Sequence, residues 1–183
     1  MRMNKNIEKE YKILVNEFQF NQLCELYQPL TFTTQVNVYF DTETHAIKKC
    51  KGAMRIRTKN NKHTFTLKMY QGNDLLEFET NVEENSVNAL NNDTILSLLA
   101  SYHIEPPFIS IATLRTDRAV FEDDDAELCF DHNFYNSIED YEIEYEYKRE
   151  HDGFSKFNRI LKRIGLKYES NCTSKIGRAL KIK

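Results

Sequence analysis

Apolar and polar residues alternate along several segments of the chain, and this spacing is typical of β-strands with one buried face. In residues 53–59, Arg55 and Arg57 alternate with Met54 and Ile56. Turn-forming residues separate most of these segments, which favours hairpins between consecutive strands. The alternation predicts about eight strands, at residues 7–15, 35–42, 53–59, 63–70, 75–82, 108–121, 126–134 and 140–148.

Apolar residues recur at helical spacing in three other segments, residues 17–27, 86–102 and 154–164. These helices do not alternate with strands as they would in a parallel α/β fold. The pattern therefore predicts a mainly β protein with flanking helices (α+β), built on one large antiparallel sheet that curls into a barrel. No shift in composition divides the chain, so we expect residues 1–183 to form a single domain.

The composition of the chain argues against several kinds of site and partner. The four cysteines are scattered without a CxxC pair, and the five histidines are equally dispersed, so a zinc site or a disulfide framework is not expected. No apolar run is long enough to span a membrane, and the start of the chain is charged rather than signal-like, which predicts a cytoplasmic protein. A net charge of −3 argues against DNA or a membrane as a partner.

Charged residues form rows at alternate positions of several predicted strands. A sheet with one face in water would show the same alternation on any single strand. If helices cover the apolar faces of a closed sheet, however, the charged faces point into its lumen. Alternation alone does not decide which face lies inside. The rows are Glu8/Glu10/Lys12, Arg55/Arg57, Glu77/Glu79 and Glu142/Glu144/Glu146.

The two signs of charge in these rows suit different ligands. Clustered carboxylates favour hard cations such as Mg²⁺ or Mn²⁺, and the planar guanidinium of arginine matches phosphate oxygens. Together they are typical of phosphoryl transfer, where positioning and charge neutralisation dominate. The alternative is a structural barrel whose charges only pair with one another.

The first row, Glu8-x-Glu10-x-Lys12, resembles the ExExK signature of the CYTH family, the triphosphate tunnel metalloenzymes. The resemblance covers essentially the whole chain and is nearest to the small stand-alone CYTH proteins of Gram-positive bacteria. Its further motifs follow in order: YFDT at 39–42, RIR at 55–57, TLK at 66–68, Glu77 and Glu79, Arg115 and Arg118, Asp131, EIE at 142–144, and Lys175.

The resemblance implies an eight-stranded antiparallel β-barrel that forms a charged tunnel, with Mg²⁺ or Mn²⁺ as cofactor. By this likeness the metal-binding residues are Glu8, Glu10, Asp131, Glu142 and Glu144. The triphosphate-binding residues are Lys12, Arg55, Arg57, Lys68, Arg118 and Lys175, and the catalytic residues are Glu10, Lys12 and Glu144. Further candidates are Glu77 and Glu79, for a second metal or for pairing with the arginines, with Arg115 as an alternative to Arg118 and Arg178 as an alternative to Lys175.

The activity implied is metal-dependent cleavage of the terminal phosphoanhydride of a triphosphate, which is either inorganic tripolyphosphate or a nucleoside or thiamine triphosphate. One alternative is a class IV-type adenylyl cyclase that makes cyclic AMP and pyrophosphate. Another is a polyphosphate- or nucleotide-binding module without catalysis. The expected partner is a small molecule containing a triphosphate, and the family also suggests a homodimer.

Overall fold

The computed structural model describes residues 3–182, which form two compact units. Its strands are β1 (Asn4–Glu8), β2 (Glu10–Val15), β3 (Thr33–Thr42), β4 (Ala53–Lys59), β5 (Lys62–Gln71), β6 (Asp74–Val82), β7 (Phe108–Glu122), β8 (Ala126–Tyr135) and β9 (Ile138–Tyr147). Its α-helices are α1 (Glu17–Leu26), α2 (Ala46–Lys49), α3 (Asp93–Ala100), α4 (Gly153–Lys162) and α5 (Lys175–Ala179), with 3₁₀ helices at Val87–Leu90 and Leu180–Ile182.

The first unit contains the residues up to Glu8 and Gln35–Leu114. Its strands lie in the order β1-β6-β5-β4-β3, and each neighbouring pair is antiparallel. One face of these strands buries Ile56 and Phe65 in a core that also contains Leu99 of α3. The alternate residues of β4 and β5 therefore place their charged side chains on the opposite face.

The second unit contains Lys9–Thr34 and the residues from Arg115 onward. Its strands lie in the order β7-β8-β9-β2, again with antiparallel neighbours. Phe130 and Ile143 face a core that includes Leu23 of α1 and Phe157 of α4. These two helices cover the apolar face. The other face of the same four strands therefore carries the polar and charged side chains.

The mainly β class with flanking helices and antiparallel pairing is confirmed. The expected count of eight strands was wrong: the described residues form nine, because the expected first strand is interrupted at Lys9. Glu8 pairs with Leu75 of β6 in the first unit, and Glu10 pairs with Glu146 of β9 in the second. Local alternation continues through this point, so only the choice of strand partners reveals the break.

Side chains that accept hydrogen bonds from free backbone N–H groups fix the starts of the helices. Asn16 and Gln19 form a capping box at α1. The segment at 86–102, expected to form one helix or two, forms two, because Asn92 accepts a hydrogen bond from the Thr94 N–H and begins α3 after the 3₁₀ helix. In residues 3–182 no helix is both long and apolar enough to cross a membrane.

Candidate active site

The polar face of the second unit carries a continuous row of carboxylates, built by strand register. Glu142 of β9 lies opposite Asp131 of β8, and Glu144 lies opposite Cys129 on one side and Lys12 of β2 on the other. Asp131 and Glu142 are fully buried, and Glu144 is 5% exposed. Antiparallel pairing thus brings acids from distant parts of the sequence onto one face.

Two sets of three carboxylates are close enough to share one cation. Ligand oxygens of Asp131, Glu142 and Glu144 lie within 4.8 Å of one another, and so do those of Glu10, Glu144 and Glu146. Glu144 belongs to both sets. All the donors are oxygens, which fits the preference of Mg²⁺ and Mn²⁺. The predicted metal residues of the second unit therefore converge, and Glu146 joins them.

Lys175 and Arg118 both contact the set formed by Asp131, Glu142 and Glu144. The Lys175 ammonium donates to Glu144 at 2.6 Å, lies 2.8 Å from an Asp131 oxygen, and also contacts Glu142. The Arg118 guanidinium forms two hydrogen bonds of 2.6 Å with Asp131 and contacts Glu144 as well. Such pairing is required because an isolated buried carboxylate is costly.

Arg178 binds a different oxygen of Glu142 from the one that Lys175 contacts. It donates to Asp140 at 2.7 Å and 3.1 Å, and to Glu142 at 2.6 Å. It also donates to the Thr173 carbonyl oxygen at 2.5 Å, just before α5. The sequence left Lys175 and Arg178 as alternatives, and the structure brings both to Glu142.

Lys12 contributes a fourth cation from β2. Its ammonium contacts Glu10, and its backbone N–H donates to the Asn171 side chain at 2.8 Å. Burial alone would lower the pKa of Lys12, but Glu10 and Glu144 outweigh it and raise that pKa. Its backbone carbonyl accepts from the Cys172 N–H at 3.2 Å, so the segment before α5 lies along β2.

Burial and nearby cations compete to set the charge of each carboxyl group. Burial alone would raise the pKa of Glu144, but Lys175 and Arg118 outweigh it and hold that pKa well below its ordinary value. The same two cations outweigh burial at Asp131 and lower its pKa. At Glu142 burial dominates and raises the pKa to about 7. Near neutral pH the row therefore combines ionised carboxylates with one that holds a proton readily.

Two thiols border the row. Cys129 Sγ lies 3.7 Å from Glu146, and Cys172 Sγ lies 3.4 Å from Glu142. Burial raises the pKa of Cys129 well above its ordinary value, and it raises that of Cys172 to about 12. Both groups therefore remain protonated thiols, which are poor nucleophiles.

The first unit has its own charged cluster on the polar face of β4, β5 and β6. Lys68 donates to Glu8 at 2.5 Å and lies 3.4 Å from Glu77. Arg57 donates through Nε to Asn37 at 3.0 Å. The structure thus places Glu77 with Lys68, while Glu79 accepts a hydrogen bond from the Thr66 hydroxyl at 2.9 Å in the same unit.

Arg55 is a half-buried member of this cluster. Burial alone would lower its pKa, but Tyr39 and Glu77 raise it. Within residues 3–182, neither Arg55 Nε nor Glu8 Oε2 has a hydrogen-bond partner, although both atoms are buried. A buried donor without a partner is rare in folded proteins and is expected where a ligand binds.

Arg115 lies on the other face of β7 from Arg118. The register runs without a bulge from Arg115, opposite Phe134, to Arg118, opposite Asp131. The Arg115 guanidinium stacks 3.8 Å from the centre of the Phe134 ring, and it lies 3.5 Å from Asp117. The structure therefore does not bring Arg115 to the acidic row.

Sequence reasoning missed several polar residues that hold the charged groups in place. Asn37 orients Arg57, and Tyr39 of β3 lies opposite Arg55 of β4. Asp140 anchors Arg178 and lies one position in the row before Glu142. Alternate polar positions were present in both predicted strands, so a search for i, i+2 polar sets would have found these residues.

The CYTH domain family matches residues 6–174 of the chain. The chain belongs to the CYTH family. This CYTH chain is 33% identical over 171 residues to a Bacillus subtilis (strain 168) protein described as "Putative triphosphatase YjbK", with 90% of each chain covered. The resemblance drawn from the sequence is thereby confirmed.

Solved structures support the same fold for this CYTH chain. A Bacillus halodurans crystal structure, described as a "putative adenylate cyclase", is 33% identical, with a TM-score of 0.85 over 95% of this chain and 97% of that one. A Hippeastrum protein, described as a "putative adenylyl cyclase" with a dominant triphosphatase activity, is 22% identical, with a TM-score of 0.78 over 96% of each chain. This second likeness shows the fold alone.

Proposed function

We propose that this CYTH protein is a divalent-metal-dependent triphosphatase that cleaves the terminal phosphoanhydride of a triphosphate. The observation that carries the proposal is the convergence of Asp131, Glu142 and Glu144 with Lys175 and Arg118 on one polar sheet face. Acids that suit a cation beside bases that suit phosphate are what phosphoryl transfer requires.

The carboxylates are proposed to hold Mg²⁺ or Mn²⁺. Support comes from the all-oxygen donor sets and from the burial of Asp131, Glu142 and Glu144. When bound, such a cation would supply charge neutralisation at the phosphate oxygens and acidify water. We assign its binding to Glu10, Asp131, Glu142 and Glu144, as expected from the sequence, and Glu8 is assigned to it by family likeness alone.

The cations are proposed to bind the triphosphate. Lys12, Arg118 and Lys175 each contact carboxylates, and an anionic substrate would take over some of these contacts. Arg55, Arg57 and Lys68 are assigned the same role, supported by the buried Arg55 Nε that has no hydrogen-bond partner among the described residues.

Glu10, Lys12 and Glu144 are assigned to catalysis. Support for Glu144 comes from its membership of both carboxylate sets, and Glu10 belongs to the more exposed set. We propose that these two residues orient water and accept its proton. Lys12 contacts Glu10, and we propose that it stabilises charge on the phosphoryl group.

The relatives support the reaction class and leave a second candidate. The Bacillus subtilis relative is described as a "Putative triphosphatase" and the Bacillus halodurans one as a "putative adenylate cyclase", at equal identity. In a cyclase the ribose hydroxyl, rather than water, attacks the α-phosphorus. We favour hydrolysis, and we further propose a cytoplasmic location, consistent with the four free cysteines.

The deciding assay is a panel of triphosphates incubated with Mg²⁺ and with Mn²⁺. We expect orthophosphate release, complete inhibition by EDTA, and a rate loss of about a hundredfold or more in Glu144→Gln. The exposed Glu169→Gln serves as the matched control. Pyrophosphate with cyclic AMP would instead identify a cyclase, and binding without products would identify a non-catalytic module.

A further inference from the structure

Strand β2 has one edge that no other strand of the described residues covers. It is the last strand in the order β7-β8-β9-β2, and such an edge carries backbone N–H and C=O groups that need partners. Residues 169–174, which have no regular secondary structure, lie along it. The Cys172 N–H donates to the Lys12 carbonyl oxygen at 3.2 Å. The segment that leads into α5 therefore takes the place of a neighbouring strand.

The Asn171 side chain contributes two further hydrogen bonds to this edge. Its Oδ1 accepts from the Lys12 N–H at 2.8 Å, and its Nδ2 donates to the Glu10 carbonyl oxygen at 3.2 Å. A primary amide offers an acceptor and a donor in one plane, as a backbone peptide group does. The Tyr168 hydroxyl donates to the same Oδ1 at 3.0 Å, which adds a third contact that holds the amide in place.

These hydrogen bonds affect how Glu10 and Lys12 meet the acidic row. Their backbone carbonyl groups point outward to the edge, so the pairs that they form with Glu146 and Glu144 are of the non-hydrogen-bonded type. Opposing side chains approach most closely in pairs of this type. Glu10 thereby reaches the carboxylate set that it shares with Glu144 and Glu146. A slip of one residue would turn Glu10 and Lys12 to the apolar face.

The same segment also sets where α5 begins. Ser174, which follows Asn171 closely, accepts a hydrogen bond from the Gly177 N–H at 3.3 Å and caps the helix. Lys175 is the first residue of α5, and its ammonium lies 2.6 Å from a Glu144 oxygen. One side chain therefore connects the strand of the opening motif to the short segment that carries this lysine.

We propose that Asn171 is a positioning residue, which holds Glu10 and Lys12 in register with the acidic row and fixes the approach of Lys175 to that row. The proposal rests on the proposed function, because it takes these three residues to act on the metal and the triphosphate. The exposed Asn171 side chain bonds to backbone groups and to a tyrosine hydroxyl. Its effect on the reaction therefore passes through the residues that it holds.

The test compares Asn171→Ala with Asn158→Ala. Asn158 of α4 is a matched control, because its side chain also makes two hydrogen bonds to backbone groups in the second unit. It accepts from the Tyr168 N–H at 2.9 Å and donates to the Phe154 carbonyl oxygen at 3.0 Å. Neither bond involves β2. Urea unfolding should show that both variants fold and that both lose stability.

Kinetics and metal binding should then separate the two variants. With tripolyphosphate and Mg²⁺ we expect kcat of Asn171→Ala to fall about tenfold, with a smaller change in KM, because misplaced catalytic groups slow the chemical step. Its affinity for Mn²⁺ alone, measured by calorimetry, should fall about tenfold, as is typical when a group that orients metal ligands is lost. Asn158→Ala should keep the wild-type kcat and Mn²⁺ affinity. Asn171→Gln, which retains the donor and the acceptor, should recover part of each loss.

Wild-type kcat and Mn²⁺ affinity in Asn171→Ala would overturn the proposal. Equal losses in Asn158→Ala would also overturn it, since a general loosening of the C-terminal segment would then explain them. Both results differ from a failure of the proposed function, in which the wild-type protein itself releases no orthophosphate. In that case the Mn²⁺ titrations of the two variants still decide whether Asn171 positions the acidic row.

Discussion

Lys175→Met tests whether the C-terminal lysine holds the acidic row together. The ammonium lies within 2.8 Å of oxygens of Asp131 and Glu144 and also contacts Glu142. Burial alone would lower the pKa of Lys175, but Asp131 and Glu144 raise it well above its ordinary value. Methionine keeps most of the side-chain volume and removes the charge, so the substitution isolates the electrostatic contribution.

Without a metal, the variant should be less stable by about 3–5 kcal/mol, because breaking a buried ion pair leaves uncompensated charge. Arg118 and Arg178 remain close to the carboxylates, which favours the lower end of this range. A divalent cation would replace the missing charge. At about 100 times its Kd it adds roughly 2.7 kcal/mol, so Mg²⁺ or Mn²⁺ should restore much of the loss.

The assay is urea unfolding in EDTA and in saturating Mg²⁺ or Mn²⁺, with the exposed Lys167→Met as the control. Metal titration should show tighter binding by the Lys175 variant, since a competing cation has gone. Tripolyphosphate affinity should fall about ten- to a hundredfold, as expected for a lost charge-assisted contact. Unchanged stability in EDTA, with unchanged metal affinity, would refute the reasoning.

Three further predictions concern the pH profile, the opening motif and the first unit. Metal affinity should rise with pH up to about 7 and then level off, because Glu142 must lose its proton; calorimetry of Glu142→Gln should show no such rise. Lys12→Met should lower kcat/KM about ten- to a hundredfold; tighter metal binding with undiminished kcat/KM would mean that it is only a counter-ion. Tripolyphosphate should raise the Tm of the wild type more than that of Arg57→Ala; equal thermal shifts would place Arg57 outside the binding site.

Local pattern was enough to locate most elements and most charged residues of this protein. Side chains alternate between the faces of any strand, so the sets Arg55/Arg57 and Glu142/Glu144 could be recognised without a structure. The ordered CYTH motifs then gave the family, which the match over residues 6–174 confirms. Strand alternation and the order of the motifs can both be read along the chain, without knowledge of which strands pair.

The tertiary structure decided which charges meet, because strand partners and register are long-range choices. Alternation put Glu8 and Glu10 in one row, but they pair with β6 and β9 respectively. Nothing local shows that Lys175, more than 30 residues beyond the acids it contacts, inserts among Glu142 and Glu144. The local sequence pattern also gives no sign that Arg178 binds Glu142. Buried charges need partners, and only the folded chain determines which groups supply them.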